Sequence, residues 1–354
     1  MPVVVVAAVG GGLAATDAMS ASAAPPALPT LSPAQLIADV NSANLTPMSG
    51  TVVENAKLGL PALPDVTGGQ GSSSLSSLIS GSHTLRVWYG GPSKVRVALL
   101  GNLGESDIVA NASGAWVWSS DNNTATHYAY PAQRSAAKPH PATPATPALT
   151  PQQLVPKVLA KVSPTTKVAT TDTATVAGRP AYQLVIAPRD AKSSVGSIRI
   201  AIDAATHVPL RLQVFARGAT EPAIAVGFTQ VSFSAPSAAQ FTFSPPPGAT
   251  VKKHSGAAPS TGWSGYPPER APMATTYGSG WSEVLIRTGV SMGEAAHGRG
   301  QLATVLRGLP AVSGSWGSGH LLHSALFSAL ITDDGRLLIG AVSPAQLYAA
   351  AAHR

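Results

Sequence analysis

The chain has 354 residues, enough for one large domain or two smaller ones. Charged residues make up 11% of it, far below the ~25% of an average soluble protein, and the net charge of +7 reflects a shortage of acids. The longest basic run is Lys252-Lys253, which argues against nucleic acid as a partner. The absence of cysteine excludes disulfides, thiolate metal sites and a cysteine nucleophile.

An apolar segment opens the chain. Residues 2–15 read PVVVVAAVGGGLAA and precede the small residues at 21–24, which is the order of a secretory signal and its cleavage site. No Lys or Arg stands before the apolar run, so we expect a signal shortened at its start, with an uncleaved anchor as the alternative. Both predict an extracytoplasmic protein, secreted or held in the periplasm or cell envelope. Residues 1–31 are assigned to this segment and a Pro-rich linker.

Residues 32–130 predict a helix followed by a meander of strands. Ser32 as N-cap and Pro33 at the first helical position begin the helix, whose apolar face starts at Leu36. A short helix is expected to pack over the sheet from the Ser- and Gly-rich loop 60–82. Alternating apolar residues predict strands at 48–58, 83–89, 94–100, 107–110, 115–119 and 125–130.

A long run of alternating strands extends from Thr175 to Phe233. It follows a Pro/Ala/Thr-rich insertion at 131–149 and a helix beginning at Thr150. Because side chains alternate across a strand, every second residue of this run lies on one apolar face. The opposite face carries Arg199, Arg211 and Gln213. A sheet of this kind either covers its apolar face or binds something there.

The C-terminal part predicts a small α+β domain at 277–354, after a linker at 252–276. A strand is expected at 281–288, a short helix at 300–309 and a terminal helix from Ser343-Pro344. Asp333-Asp334-Gly335 predicts the turn of a hairpin between 320–331 and 336–342.

Several segments resemble those of a known family. In the hairpin 107–118, a turn precedes a strand that contains tryptophan. VAGRPAY at 176–182 resembles the start of a strand in that family, and IDAATHVPL at 202–210 resembles a turn between two of its strands. With the closing strands near Phe228 and Phe241, their order resembles the LolA/LolB-like lipoprotein carrier superfamily, most nearly the N-terminal domain of the RseB/MucB regulators. The resemblance covers 32–251 and implies a half-barrel that holds acyl chains without catalysis.

We therefore predict an α+β fold: an open antiparallel β half-barrel covered by helices (LolA-like), plus the small C-terminal domain. The apolar alternating residues are either an ordinary sheet core or the lining of a lipid cavity. The lipid-binding candidates are Leu85, Val87, Val95, Val97, Leu99, Trp116, Trp118, Tyr182, Leu184, Ile186, Ile198, Ile200, Leu212, Val214, Val226 and Phe228.

Aromatic and charged residues near these strands have more than one interpretation. Trp116 and Trp118 share one face, either as a core or rim pair or as a contact for lipid or a partner, and Trp88 is expected on the face opposite Val87. Arg179 either pairs with a helical lid or faces solvent, and solvent is the expectation.

Standard catalytic signatures are absent from the sequence, so we predict no catalytic residues and no cofactor. His320 and His323 are three residues apart on a predicted strand and point to opposite faces, so no metal site is expected there. The sequence predicts a non-enzymatic lipid- or lipoprotein-binding protein, a carrier or a sensor. The alternative is an RseB-like module in sigma-factor regulation, which binds a membrane-anchored anti-sigma factor or another envelope protein.

Overall fold

The computed structural model describes residues 28–43, 45–60, 72–130, 165–255, 274–289 and 308–353. The predicted signal, the insertion at 131–149, the helix beginning at Thr150, most of the linker 252–276 and most of the helix at 300–309 lie outside these residues.

Twelve strands form one open sheet. They are β1 (Met48–Ala56), β2 (Gly81–Gly91), β3 (Lys94–Leu100), β4 (Glu105–Asn111), β5 (Gly114–Ser119), β6 (Thr124–Ala129), β7 (Thr166–Val176), β8 (Arg179–Pro188), β9 (Val195–Asp203), β10 (Pro209–Ala216), β11 (Pro222–Ser232) and β12 (Thr250–Ser255). Their order is β12-β6-β5-β4-β3-β2-β1-β11-β10-β9-β8-β7. All neighbours are antiparallel except β12, which runs parallel to β6.

Two meanders, β1–β6 and β7–β11, join where β1 pairs with β11. The register confirms the predicted faces: Leu184 lies opposite Ile200, which lies opposite Leu212, which lies opposite Val226. We call this the inner face. The outer face carries Arg199 opposite Gln213 and Arg211 opposite Gly227.

Buried side chains form two clusters, both built mainly from the inner face. The first inner cluster centres on β1–β3 and β11 and includes Val52, Leu85, Leu99 and Phe228. The second inner cluster centres on β8–β10, whose fully buried members in it include Leu184, Ile186, Ile200 and Ile202. The predicted alternation thus buries apolar surface in the expected way, with period two along each strand.

Two short helical segments of the described chain pack on this face. Helix α1 (Pro33–Ser42) begins with a capping box: Gln35 N donates to Ser32 Oγ (3.3 Å) and Ser32 N donates to Gln35 Oε1 (3.1 Å). Its Leu36 is fully buried in the second inner cluster. The 3-10 helix Leu75–Ile79 packs Leu75 and Leu78 on the first inner cluster. Among the described residues, no helix has the length and apolar character to cross a membrane.

A second sheet has six antiparallel strands: β13 (Ala274–Tyr277), β14 (Val284–Thr288), β15 (Ala311–Gly314), β16 (Gly317–His323), β17 (Ser328–Thr332) and β18 (Arg336–Gly340). Their order is β13-β14-β18-β17-β16-β15, and helix α2 (Pro344–Ala352) packs on β17 and β18. The turn at Asp333–Gly335 is confirmed. The predicted single strand 320–331 is wrong: it is two strands, because Ser324 N donates to Phe327 O (2.9 Å) and turns the chain.

The two sheets are joined by direct contacts. Ser193 bridges Val342, and Ala325 N donates to the carbonyl of Leu58 (2.8 Å). Leu326 is buried in the second inner cluster. β12 extends the large sheet to Ser255, four residues past the domain boundary predicted at 251.

The predicted fold class is confirmed: a large open antiparallel sheet, not closed into a barrel, with a smaller α+β unit after it.

Candidate functional site

Every lipid-binding candidate except two lies on the inner face. On the N-terminal meander, Leu85 lies opposite Leu99, and Val87 lies opposite Val97. Ile108 of β4 lies opposite Val97 and so is on the inner face, which puts its neighbours Asp107 and Val109 on the outer face. Trp118 and Trp116 lie opposite these two residues and are therefore on the outer face. The two tryptophans therefore share one face, as predicted, but not the face of the other candidates.

The inner-face candidates are packed. Leu184, Ile186 and Ile200 have no exposed surface, and Leu85 exposes 1%. Val95, Tyr182 and Val214 are partly buried at the margins of the two clusters. In this closed arrangement these residues form a sheet core.

A polar network lies on the inner face beside the apolar clusters. His83 Nδ1 is 2.9 Å from Glu54 Oε2, and His83 Nε2 is 3.0 Å from Ser77 Oγ. All three residues are buried, with relative exposures of 2% for Glu54, 3% for His83 and 0% for Ser77. Glu54 and His83 are cross-strand neighbours on β1 and β2, and Ser77 comes from the 3-10 helix above them.

The sequence analysis missed this network, although it contained a signal. Glu54 takes the next inner-face position after Val52, and His83 takes the one before Leu85. An acid and a histidine in phase with buried apolar residues on adjacent strands predict a buried pair, because an unpaired charge there is costly.

Burial sets the protonation of the network. It raises the pKa of Glu54 to about 8 and lowers the pKa of His83. The Ser77 hydroxyl donates to the carbonyl of Ser74 (2.7 Å) and therefore accepts from the Nε2–H of His83. The other imidazole nitrogen faces Glu54, so the pair holds one proton between Glu54 and His83 at neutral pH.

A serine, an imidazole and a carboxyl group in this order also occur in hydrolases. Here Ser77 has no solvent-exposed surface, and its hydroxyl hydrogen is used by Ser74. The geometry is that of a structural network that ties a helix to a sheet, rather than of an exposed nucleophile.

A groove of about 220 Å³ lies on the outer face where β2, β1 and β11 meet. A bulge between Thr51 and Val52 shifts the register against β11 at this point. The lining residues are Ser49, Gly50, Thr51, Arg86, Trp88, Gln230, Val231 and Ser232.

The groove has one aromatic and one cationic wall. The Arg86 guanidinium lies 5.5 Å from the centre of the Trp88 ring, and that of Arg96 lies 5.0 Å from it. Arg96 is neutralised by Asp107, 2.6 Å away. Arg86 is exposed and forms no ion pair with any described residue. Trp88 is on the face opposite Val87, as predicted.

Outside the groove, the outer-face tryptophans are covered by the segment that follows β11. Trp116 lies 5.3 Å from Phe243 between ring centres, and Asn111 Nδ2 donates to the carbonyl of Phe241 (3.0 Å). Their role as a core or rim pair is compatible with this packing.

Two further expectations are resolved by contacts. The expectation that Arg179 faces solvent is wrong. Its Nε donates to Asp203 (2.5 Å), because the 203–206 turn brings that carboxylate to the start of β8. His320 and His323 bind separate partners, the Leu309 carbonyl and Ser328. The described residues contain no cluster of three metal-binding side chains.

No protein-family model matches the chain, and no curated protein matches it in sequence. Among solved structures, the MucA/MucB complex of Pseudomonas aeruginosa is similar to it at 14% identity, over 90% of this chain and 96% of that chain, with a TM-score of 0.44. A LolA-superfamily protein from Nitrosomonas europaea is similar at 8% identity, over 60% of this chain and 99% of that chain, with a TM-score of 0.22. The similar structures thus include a MucB protein and a LolA-superfamily protein, the two kinds of protein that the sequence segments resemble.

Proposed function

We propose that this protein is a non-enzymatic binding protein of the cell envelope that takes up an acyl chain of a lipid or lipoprotein on its inner face. One observation carries the proposal: apolar side chains cross this face from β8 to β3, while the helical cover described over the first inner cluster is a single five-residue 3-10 helix. Lifting that helix would expose the apolar side chains of the first inner cluster beneath it. The protein would act as a carrier or as a sensor.

The energies favour such an exchange. Exposing Leu75 and Leu78 costs about 1.5–3 kcal/mol each. An acyl chain of about a dozen methylenes gains roughly 10 kcal/mol when buried, at ~0.8 kcal/mol per methylene. The free energy gained by burying the acyl chain therefore exceeds the cost of exposing these two leucines.

Lipid content tests the proposal. Purified protein is extracted with organic solvent and its lipids are quantified by mass spectrometry, for the unchanged chain and two variants of β3. Val95→Trp fills the partly buried margin of the inner face and is expected to reduce bound lipid several-fold. Leu100→Trp changes the same strand on the outer face and should leave lipid unchanged. Protein without lipid, or equal lipid in both variants, would refute acyl binding at this face.

A second candidate function has its own observation, the outer groove. Its exposed Arg86 beside Trp88 suits an acidic segment of an envelope protein, since arginine binds carboxylates bidentately and the aromatic wall offers apolar contact. We propose this as the docking site if the protein is a regulatory module. MucA is the partner of MucB in the similar complex, and an anti-sigma factor would be the corresponding partner here.

A peptide of alternating Glu and Tyr serves as the probe for the groove. Its binding should weaken with salt and be lost in Arg86→Gln, while Arg199→Gln, on the outer face but distant in the sheet order, retains it. Equal binding to both variants would rule out the groove. Lipid content should be unchanged in either variant, which separates the two functions.

A further inference from the structure

We propose that the Glu54–His83–Ser77 network is a proton-operated latch that holds the 3-10 helix closed over the inner face and releases it when the network loses its shared proton. The proposal rests on the proposed acyl-binding function, because it assigns a regulatory role to the cover of that site.

The latch joins the cover to the floor of the site. Ser77 lies in the middle of the 3-10 helix, and Leu75 and Leu78 on the same helix pack on the first inner cluster. The bond between His83 and Ser77 is a polar contact between the helix and the sheet beneath it. Just before the helix, Ser73 donates to Asp121 (2.5 Å), so this second anchor can act as a hinge.

Loss of the proton changes the direction of the bond at Ser77. While the pair holds one proton, the His83 Nε2–H donates to Ser77, and the Ser77 hydroxyl donates to Ser74. Once the proton leaves, a neutral imidazole that donates to the Glu54 carboxylate has only a lone pair at Nε2. Ser77 must then give up either His83 or the Ser74 carbonyl. The carboxylate is also left with an uncompensated charge in a buried site.

Few other ionisable groups face the network. On the inner-face positions of β1, β2, β3 and β11, the remaining one is Tyr89, three inner-face positions along β2 from His83. The described part of the 3-10 segment, residues 72–80, has no ionisable side chain, and Asp121 bonds to Ser73 at its start. Val226 is the neighbour of Glu54 on β11.

The direction of the pH effect follows from a proton count. With the helix closed, the pair keeps one proton until the pKa of Glu54, about 8. With the helix open, the pKa values of Glu54 and His83 return towards their ordinary values of 4.5 and 6.5. Above pH 6.5 the open pair therefore no longer holds the proton that the closed pair keeps. Opening is therefore favoured as the pH rises from 6.5 to 8 and levels off above. The opening equilibrium should grow over this range, by at most about 30-fold.

Hydrogen exchange on the full chain measures the latch directly. The amides of Ser77 and Ser80 bond to the carbonyls of Ser74 and Ser77 (3.0 Å each), so they report the helix. Their protection factors, which remove the intrinsic pH dependence of exchange, should fall several-fold, by at most about 30-fold, from pH 6 to 9. Amides of β9 should keep their protection. In parallel, uptake of the neutral apolar dye N-phenyl-1-naphthylamine should rise over the same range.

Glu54→Gln is the decisive variant, because the amide keeps a donor to His83 and cannot ionise. Its helix should stay protected from pH 7 to 9, whereas Glu221→Gln, which removes an exposed carboxyl paired with Lys57, should behave like the unchanged chain. Should Glu54→Gln fail to fold, Ser77→Ala replaces it. The helix of Ser77→Ala should be poorly protected at every pH.

The outcomes separate the latch from the function. Helix protection that does not change with pH in the unchanged chain, or that falls equally in Glu54→Gln, would overturn the latch even if lipid binds. A helix that opens at high pH without taking up the dye or lipid would support the latch and overturn acyl binding.

Discussion

At the scale of single residues, Asp203 organises the turn between β9 and β10. Its carboxylate accepts bonds from Arg179 (2.5 Å), from the Thr206 amide (2.8 Å) and from the Ala205 amide (3.1 Å). Burial opposes its ionisation, but the bonds from Arg179 and Thr206 outweigh burial and lower the pKa of Asp203. The resemblance noted for IDAATHVPL therefore has a physical basis, a carboxylate that caps its own turn.

Replacing Asp203 by Asn should destabilise the protein by about 3 kcal/mol, because Arg179 loses its buried partner. Urea unfolding at pH 7 measures this, with Glu283→Gln, at an exposed side chain, as the control. Because the folded-state pKa is lowered, the contribution of Asp203 is present above its unfolded pKa of ~3.9 and is lost as the pH falls through the lower folded value. The free energy of unfolding of the variant should therefore fall less on acidification than that of the unchanged protein. A change below ~1 kcal/mol would contradict this role.

At the scale of elements, helix α1 is held by one face of apolar side chains and one capping box. Leu36 has no exposed surface and packs in the second inner cluster, with Ile37 and Val40 beside it. A ten-residue helix is marginal alone in water, so its packing decides whether it forms.

Leu36→Ala should cost about 2–5 kcal/mol, since it removes buried methyl groups and leaves a cavity under the helix. Thermal unfolding measures the loss. Leu45→Ala is the matched control, because Leu45 is 42% exposed and its truncation should change little. Equal effects of the two substitutions would show that α1 does not seal the second inner cluster.

At the scale of the whole molecule, the two sheets share part of a core. Leu326, between β16 and β17, is buried among residues of β8–β10, and Trp281 Nε1 donates to Thr166 Oγ1 (2.8 Å) at the edge strand β7. The C-terminal unit thus covers one end of the large sheet.

We expect the sheets to unfold in one transition. Leu326→Ala should lower the midpoint of both, by calorimetry and by exchange of β9 and β17 amides, because its side chain belongs to the shared core. Leu103→Ala, at a fully exposed side chain, should leave the midpoint unchanged. Two separate transitions, with Leu326→Ala shifting one of them, would show two independent units.

Local patterns predicted much of this structure. Period-two alternation placed Leu184, Ile200 and Leu212 on one face, and Ser32-Pro33 marked the start of α1. Both signals act over a few residues, so they are readable before the chain folds. The predicted role of the inner-face candidates in lipid binding stays a prediction.

Long-range contacts could not be predicted in this way. The pairing of β1 with β11 brings residues 48–56 beside 222–232, and β12 returns to run parallel to β6. Trp116 and Trp118 lie on the other face of the sheet from the remaining candidates. This placement depends on the register across β3, β4 and β5, which no single strand specifies.

Taken alone, the amino-acid order determined the strands, the turn and cap residues and the apolar side of each strand, because these depend on side-chain alternation and backbone preference between near neighbours. Tertiary structure alone decided that the apolar side is packed closed, that Glu54, His83 and Ser77 meet beneath the 3-10 helix, and that Arg86 and Trp88 line a groove. The physical reason is that pairing between distant strands sets which faces coincide, and burial then sets the charge and the accessibility of the groups that meet there.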